Sequence, residues 1–341
     1  MSVLTLPVQP GHEASPRPVP WRGMAWVTWR QQRATLIAVP AVLAAVAVFL
    51  VIFGLKVHHD YAALVNCPLD VGQQSGACAK LFSDFNSDDW PLGNATAILM
   101  QLAPVLIGAF AGAPLLAREL ETGSYRFAWT QGLARERQAI AKLALLGVTL
   151  VVLAGAFGAL FSWFFQPFLY TEEMNRLTET VFDTSGIVFP AFTLVAFAIG
   201  AFLGMLFRRV IPALAATLGV YLAIRLGAWA LRGQYPLSVV TSNSKLFSQF
   251  HTPSLPGFPW ILSSWVTGPG GQPVSQAVAN RILNGPGPSA GESVPPGYTV
   301  WTRWIPLSHY WPMQFIEAGW LLVLSVAFFA ATVSLVRRRA A

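Results

Sequence analysis

The sequence predicts an all-α integral membrane protein with six transmembrane helices. Charged residues make up only 11% of the 341 residues and hydrophobic residues 54%, whereas a soluble protein carries about 25% charged residues. The apolar residues are gathered into uninterrupted runs, each long enough to cross a hydrocarbon layer of about 30 Å as a helix. A soluble fold is excluded, because so few charges could not cover its surface.

Six apolar runs, separated by charged or Pro/Gly-rich segments, define the predicted spans. Only Arg208 and Arg209 separate the fourth run from the fifth, so we expect a tight hairpin there whose arginines stay in water. The spans are 34–55, 94–117, 139–165, 186–207, 210–231 and 314–336. The other four pairs of consecutive spans are connected by the loops 56–93, 118–138, 166–185 and 232–313.

The positions of the basic residues predict the orientation. An even number of spans places both termini on one side, and the segments on that side hold 14 of the 22 Lys and Arg residues. By the positive-inside rule this side is the cytoplasm. The net charge of +7 therefore reflects topology and contact with anionic lipid rather than nucleic-acid binding. The inner segments are 1–33, 118–142, the Arg208/Arg209 turn and the tail 337–341.

The chain is predicted to begin with a cytoplasmic tail. Residues 1–33 contain five prolines, and the apolar run that follows is too long for the core of a cleaved signal peptide. We therefore expect an uncleaved first span at 34–55, preceded by a flexible cytoplasmic tail.

The first outer loop, 56–93, contains both cysteines of the chain, Cys67 and Cys78. An oxidising exterior permits a disulfide between them, which would stabilise the folded state by about 2–3 kcal/mol. The alternative is two free thiols, because spacing alone does not establish pairing.

The longest outer segment, 232–313, contains 12 prolines and nine glycines in its 82 residues. This composition argues against an ordinary sheet or a long helix. One short helix is expected, beginning after Ser275 and ending at Gly285. The aromatic residues before the last span are interpreted as an interfacial belt, in preference to a sugar-binding platform. They are Trp301, Trp304, Tyr310 and Trp311.

No motif in the sequence supports catalysis by this chain. No lysine follows a glycine, so the GxxxxGK[ST] loop that holds ATP phosphates is absent. Residues 287–291 match GxSxG, but they lie in a Pro/Gly-rich loop without the strand and helix that expose a nucleophilic serine. The five histidines, His12, His58, His59, His251 and His309, show no metal-ligand spacing.

Three of the polar residues within the predicted spans are candidates for function. An intramembrane charge is expensive unless it is paired, so Arg225 and Glu317 are functional candidates by default. One possibility is that they contact the substrate. Another is that they pair with each other as a structural clamp, or that the Arg225 side chain extends to the lipid headgroups. We prefer the clamp. Gln101 either lines a translocation path or satisfies neighbouring backbone groups.

Small residues at four-residue spacing predict close helix packing. The pairs are Gly108/Gly112 in the second span and Gly200/Gly204 in the fourth, and such pairs let helix backbones approach closely. Packing within one chain and packing across a dimer both remain open.

The cytoplasmic loop 118–138 is short, charged and aromatic. Gly123 and Gly132 delimit about two helical turns, in which Tyr125 and Trp129 share one face at i, i+4. Exposed aromatic side chains on a short helix indicate a protein partner. The alternative is that both rings enter the inner membrane interface.

At this loop the sequence resembles the permease subunits of type-2 ATP-binding-cassette (ABC) exporters. In that family the first cytoplasmic loop starts with Glu-x-Gly-[Ser/Thr], continues as a short coupling helix and ends with basic residues. Glu121, Gly123 and Ser124 match the start of the loop, and Arg135 and Lys142 match its end. Residues 26–33 and 310–317 resemble the segments that precede the family's first and last spans. In the family the first of these segments is an interfacial helix, so the resemblance, and not the amphipathicity of residues 26–33, implies such a helix at the end of the tail 1–33.

The resemblance implies a transport subunit that works with a second permease chain and two ATPase subunits. The partner ATPase would bind ATP and Mg²⁺, and this chain would bind no cofactor. The expected activity is export or flipping of a substrate across the plasma membrane by alternating access. The residues expected to couple this chain to the ATPase are Glu121, Gly123, Tyr125, Arg126, Trp129 and Arg135.

The alternative function is a self-contained carrier or a sensor whose outer loop binds a ligand. Carriers usually contain internal repeats with discontinuous helices, and no repeat relates the first three spans to the last three. An intramembrane enzyme is disfavoured, because the spans hold no paired nucleophile and base.

Overall fold

A computed structural model describes residues 21–65, 76–121, 135–169, 176–235, 237–242, 260–284 and 297–338. Within these residues six helices are long and apolar enough to cross a membrane, which confirms the predicted fold class. The spans, numbered first to sixth, are Ala44–Val65, Cys78–Arg118, Ala139–Phe165, Val188–Phe207, Val210–Arg232 and Leu307–Arg338.

Eleven α-helices of the described residues build these spans and their connections. The first span belongs to a helix that already begins at Trp21, so the segment before the predicted span is helical and continuous with it. In chain order the helices are α1 Trp21–Val65, α2 Gly76–Asp84, α3 Trp90–Met100, α4 Ala103–Ile107, α5 Ala113–Glu121, α6 Arg135–Phe165, α7 Glu179–Phe182, α8 Val188–Phe207, α9 Val210–Arg232, α10 Gln276–Asn284 and α11 Tyr310–Arg338.

The second span is interrupted three times, first by a π-helical turn at Phe85–Asp89 between α2 and α3. α3 ends before Gln101, whose N–H bonds the carbonyl of Ile98 at 3.2 Å in a tightened turn. Pro104 follows at the second position of α4, where its missing N–H leaves no helical bond broken. A π-helical turn at Gly108–Gly112 then separates α4 from α5. Such irregular backbone inside a span is tolerated where it packs against protein.

The fourth span, α8, is the centre of the bundle and 83% of its most apolar window is buried. The small residues of the second span pack directly on it. A Cβ atom at Gly112 would lie 2.6 Å from the carbonyl oxygen of Phe197, and one at Gly200 would overlap the carbonyl oxygen of Gly108. The two small-residue faces therefore pack against each other within one chain.

The fourth and fifth spans form the tight hairpin that the sequence predicts. Arg208 ends α8 in the left-handed conformation, with φ 58°, and its N–H donates to the carbonyl of Gly204 at 3.1 Å. Arg209 is extended and directly precedes α9. Both arginines are exposed.

The segment between the fifth and sixth spans contains a three-stranded antiparallel sheet, so the prediction that its composition excludes a sheet was wrong. The strands are β1 Val239–Ser242, β2 Trp260–Thr267 and β3 Thr299–Ile305, in the order β1-β3-β2. None of the three described strands contains a proline, so no ladder hydrogen bond is lost to proline within them. The predicted short helix is confirmed as α10.

The sheet rests on the ends of the fourth, fifth and sixth spans. Ile305 of β3 is fully buried and belongs to the core around α8, against which Trp260 and Leu262 also pack. Trp301 and Trp304 are cross-strand residues, since their indole N–H groups donate to Thr267 Oγ1 at 3.0 Å and to Thr241 Oγ1 at 2.9 Å. These bonds stabilise the sheet, and the interfacial belt stays a prediction.

Candidate functional site

Four charged side chains are buried together where the fourth, fifth and sixth spans meet the sheet. Their exposed fractions are 2% for Asp183, 9% for Arg225, 1% for Arg232 and 0% for Glu317. We call these four residues the charge cluster. Two positive and two negative side chains balance formally, and burial of this depth is tolerated only when charges are paired.

Arg232, the last residue of α9, is the centre of the charge cluster. Its Nε donates to Glu317 Oε2 at 2.9 Å, and its Nη2 donates to Asp183 Oδ1 and to Glu317 Oε1. The guanidinium carbon lies 4.4 Å from the ring centroid of Phe182. Arg232 therefore connects the segment before α8 to the sixth span.

Arg225 extends the charge cluster toward the second span. Its Nη2 lies 2.7 Å from Asp183 Oδ2 and also donates to Gln101 Oε1. Gln101 occupies the interruption between α3 and α4 in the second span. The structure thus places Gln101 and Arg225 in direct contact and connects both to Glu317 through Asp183 and Arg232.

Glu317 is bound to Arg232, so the predicted direct pair between Arg225 and Glu317 was wrong. The two arginines are seven residues apart, which places them on one face of α9 about two turns apart. Arg232 directly follows one apolar run and Asp183 lies shortly before another, so the sequence predicts both residues in outer loops. The seven-residue spacing of Arg225 and Arg232 was the signal that could have revealed the second arginine.

Two buried polar atoms next to the charge cluster have spare hydrogen-bonding capacity. Arg225 Nη1 and the Tyr221 hydroxyl form no hydrogen bond with any described residue. Tyr221 lies one turn before Arg225 on α9, and both pack on Phe192, at 6.1 Å between ring centroids and at 5.4 Å from the guanidinium carbon. Two donors on neighbouring turns can bind one acceptor, which would remove a desolvation penalty of about 1–3 kcal/mol per unpaired group.

Gln314 on the sixth span fixes the start of α8. Its Oε1 accepts hydrogen bonds from the N–H groups of Ile187 and Val188, both at 3.0 Å, and its Nε2 donates to the carbonyl of Phe182 at 3.0 Å. These bonds satisfy N–H groups that have no partner within the helix. Gly186 adopts φ 62°, and a Cβ atom there would lie 2.6 Å from Gln314 Oε1.

Tyr235 connects the end of the fifth span to the sixth span. Trp320 Nε1 lies 3.2 Å from the Tyr235 hydroxyl oxygen and donates to it. Burial raises the pKa of Tyr235, and the nearby Glu317 carboxylate raises it further. The phenol therefore stays protonated and can act as a donor at neutral pH.

At the opposite end of the fifth span, Glu121 contacts the start of α9. Glu121 is the last residue of α5, and its Oε2 accepts a hydrogen bond from the Val210 N–H at 3.3 Å. Val210 is the first residue of α9, so the carboxylate satisfies a free helix donor and complements the helix dipole. A cleft of about 650 Å³ adjoins this contact, lined by Glu121, Arg208, Arg209, Ile211 and Pro212.

Most of the predicted coupling loop lies outside the described residues. This applies to Gly123, Tyr125, Arg126 and Trp129, whose roles stay predictions, as does that of Arg135, the first residue of α6. Cys67 also lies outside the described residues, while Cys78 lies in α2. The disulfide therefore stays a prediction.

The histidines in the described part of the chain are not assembled into a metal site. Within the described ranges no group of three or more His, Cys, Asp and Glu residues could hold a metal ion. His58 stacks on Trp163 with ring centroids 4.6 Å apart, and His309 Nδ1 lies 2.9 Å from the carbonyl of Leu237. Residues 287–291, with the GxSxG match, lie outside the described residues.

A comparison with family models identifies the class of protein. The model described as ABC-2 membrane transporter related matches residues 40–232, which is more than half of the chain. The chain therefore belongs to this family, as an ABC-2 type permease and a multi-pass protein of the cell membrane. Searches of curated proteins and of solved structures found no significant match.

The family match covers the first five spans and most of the residues described above. It includes Glu121, Gln101 and three of the four residues of the charge cluster, and it ends at Arg232. The sheet and the sixth span, with Glu317, lie beyond it. The charge cluster thus joins the matched region to the part of the chain that follows.

Proposed function

We propose that the chain is the transmembrane subunit of an exporter that moves or flips its substrate across the plasma membrane, driven by ATP hydrolysis in a separate subunit. The family assignment supports a transport permease role. The observation that carries the coupling proposal is the hydrogen bond between Glu121 and the Val210 N–H. It connects the start of the cytoplasmic loop to the first residue of the fifth span.

The fifth span would transmit the movement of the loop through the membrane. α9 has 23 residues and is therefore about 35 Å long. Its far end carries Arg225 and Arg232, which hold Asp183 and Glu317. A displacement at Val210 would thus reach the fourth and sixth spans together, which suits alternation between two helix arrangements.

The ATPase would dock on the coupling loop through Tyr125, Arg126, Trp129 and Arg135. ATP and Mg²⁺ would be bound by that partner, and a second permease chain, identical or related, would complete the transporter. Membrane lipid would surround the assembly, consistent with the exposed apolar side chains of the spans, among them Ile211, 80% exposed, and Val323, 68% exposed.

Gln101 and Arg225 are the proposed contacts on the translocation path. Gln101 lies at a helix interruption and is half-buried, and Arg225 retains one unpaired donor. Glu317 is instead assigned to the structural clamp, because it is fully buried and bound to Arg232.

Copurification tests the coupling proposal. The tagged chain is purified from the cells that naturally produce it, and the ABC ATPase captured with it is identified and quantified by mass spectrometry. We expect Trp129→Asp to reduce capture at least about tenfold, since burial of an unpaired carboxylate at an aromatic contact costs more than 1.4 kcal/mol. The matched control is Trp265→Asp in β2, an exposed tryptophan of the sheet, which should leave capture unchanged.

Two outcomes would contradict the proposal. Full capture by the Trp129 variant would show that this loop does not bind the ATPase. Failure of the unmodified chain to capture any ABC ATPase would count against ATP-driven transport itself.

A further inference from the structure

A cavity of about 340 Å³ lies between the third span, the sixth span and the segment before α8. It is separate from the charge cluster, since none of those four residues lines it. Its polar wall is formed by Ser162, Arg176, Ser185 and Tyr310. On the predicted orientation it opens at the headgroup level of the outer leaflet.

The hydroxyl groups that line this cavity use their hydrogen atoms in hydrogen bonds within the protein. Ser162 donates to the Gly158 carbonyl at 2.7 Å, and Ser185 donates to the Val181 carbonyl at 2.6 Å. The Tyr310 and Ser185 oxygens are 2.9 Å apart, so Tyr310 must be the donor in that bond. A hydroxyl has one hydrogen, and the three oxygens therefore offer a ligand only acceptor positions.

Arg176 supplies the positive charge of the cavity. It is exposed at the rim, and no carboxylate in the described part of the chain forms an ion pair with it. A guanidinium group binds phosphate oxygens with two parallel hydrogen bonds. The ligand that fits the polar wall thus carries an anionic group and, close to it, a hydrogen-bond donor.

The remaining wall is apolar and suits a hydrocarbon chain. Phe165 and Leu169 line it, together with the small residues Gly155 and Ala159. Trp311 at the rim is 51% exposed, as expected of an interfacial tryptophan. An apolar groove that ends in a positive charge at the interface matches an amphiphile with an anionic headgroup.

We infer that this cavity binds a phospholipid of the outer leaflet. Its phosphate meets Arg176, and a headgroup hydroxyl or ammonium group donates to the Tyr310 or Ser162 oxygen. The upper part of its acyl chain covers Gly155 and Ala159. The lipid is either a resident ligand or the transported substrate, and the two differ in their response to ATP hydrolysis.

Native mass spectrometry of the purified full-length chain tests the inference. Phosphatidylglycerol and phosphatidylethanolamine are each added, and both should be retained more strongly than phosphatidylcholine, whose trimethylammonium group has no N–H. Arg176→Gln should lower retention at least about tenfold through loss of a charge-assisted contact. Arg281→Gln, at an exposed arginine of α10, is the matched control and should bind as the unmodified chain does.

A second variant blocks the cavity without disturbing the fold. A Cβ atom at Gly155 meets nothing within 4 Å, so Gly155→Leu places its side chain in the cavity and also favours the helix. We expect a similar loss of lipid. Gly319→Leu is the control, because Gly319 is exposed on α11 and its Cβ also meets nothing within 4 Å.

Unchanged lipid retention in both Arg176→Gln and Gly155→Leu would overturn the inference, as would equal retention of phosphatidylcholine. No ATPase is present in this measurement, so its failure is distinct from failure of the coupling proposal. Adding the ATPase and ATP in vesicles separates the two sources: transported lipid is depleted from the chain, whereas resident lipid stays bound.

Discussion

The two ends of the fifth span use arginine in opposite ways. At one end Arg225 and Arg232 are buried and bound to carboxylates of neighbouring elements. At the other end Arg208 and Arg209 are exposed, and the nearby Glu121 carboxylate accepts from a backbone N–H instead. The same residue type holds helices together where water is excluded and remains available to lipid or protein where water is present.

The physical basis of this contrast is desolvation. A buried ion pair adds little net stability compared with apolar packing, but removing one partner leaves an uncompensated charge. An exposed arginine keeps its hydration and contributes at most about 1 kcal/mol through any single ion pair. Substitutions at the two ends should therefore differ greatly in their effect.

The largest effect is expected from Arg232→Leu. It leaves Glu317 without its hydrogen-bonding partner and Asp183 with one partner fewer, so the free energy of unfolding should fall by about 3–5 kcal/mol. The measurement is denaturant or thermal unfolding of the purified chain in detergent. The control is Arg281→Leu, at an exposed position, which should change little.

A double variant sharpens this test. Arg232→Leu combined with Glu317→Leu should regain most of the lost stability, because Asp183 still pairs with Arg225. If the single and double variants were equally unstable, ion pairing would not be the reason for the loss.

An intermediate effect is expected from Gly200→Ala in the packing face between the second and fourth spans. The new methyl group would overlap the carbonyl oxygen of Gly108, and overpacking of this kind lowers stability by about 1–3 kcal/mol. At Gly219 a Cβ atom meets nothing within 4 Å, so Gly219→Ala should be neutral or stabilising. Equal unfolding midpoints for the two variants would contradict the close packing.

The smallest effect is expected from Glu121→Ala at the solvent-exposed end of the fifth span. Loss of the carboxylate frees the Val210 N–H, and loss of a helix cap costs about 0.5–2 kcal/mol. Hydrogen exchange of the first amides of α9 should accelerate. Glu121→Gln retains an acceptor and should restore most of the protection, and unchanged exchange in the alanine variant would remove Glu121 from the proposed coupling route.

Much of the membrane part was predictable. A long apolar run indicates a segment in contact with lipid, and the charged or Pro/Gly-rich segments between such runs indicate loops in water. The six spans and the Arg208/Arg209 hairpin follow from such local patterns. The sheet was not predictable by composition, since proline and glycine counts do not show that stretches such as Trp260–Thr267 and Thr299–Ile305 contain no proline. The position of each proline was more informative than their number.

The candidate site was only partly predictable for a related reason. Arg225, Glu317 and Gln101 stood out because polar residues within apolar runs are rare. Asp183 and Arg232 lie at the edges of such runs, where charges are common, so nothing in the local sequence distinguished them from solvated loop residues. Their burial depends on the sheet and on three helices that meet from distant parts of the chain.

The sequence alone determined that this is a membrane protein with six spans, that its basic residues are concentrated on one side, and that it resembles an ABC-2 permease. Spans and basic loops can be recognised one at a time, because each segment must by itself be apolar enough for lipid or polar enough for water. The tertiary structure decided that the glycine faces pack within one chain, that Arg232 rather than Arg225 binds Glu317, and that Glu121 reaches the fifth span. These are contacts between segments remote in sequence, and such partners are chosen by distance and geometry in the folded chain.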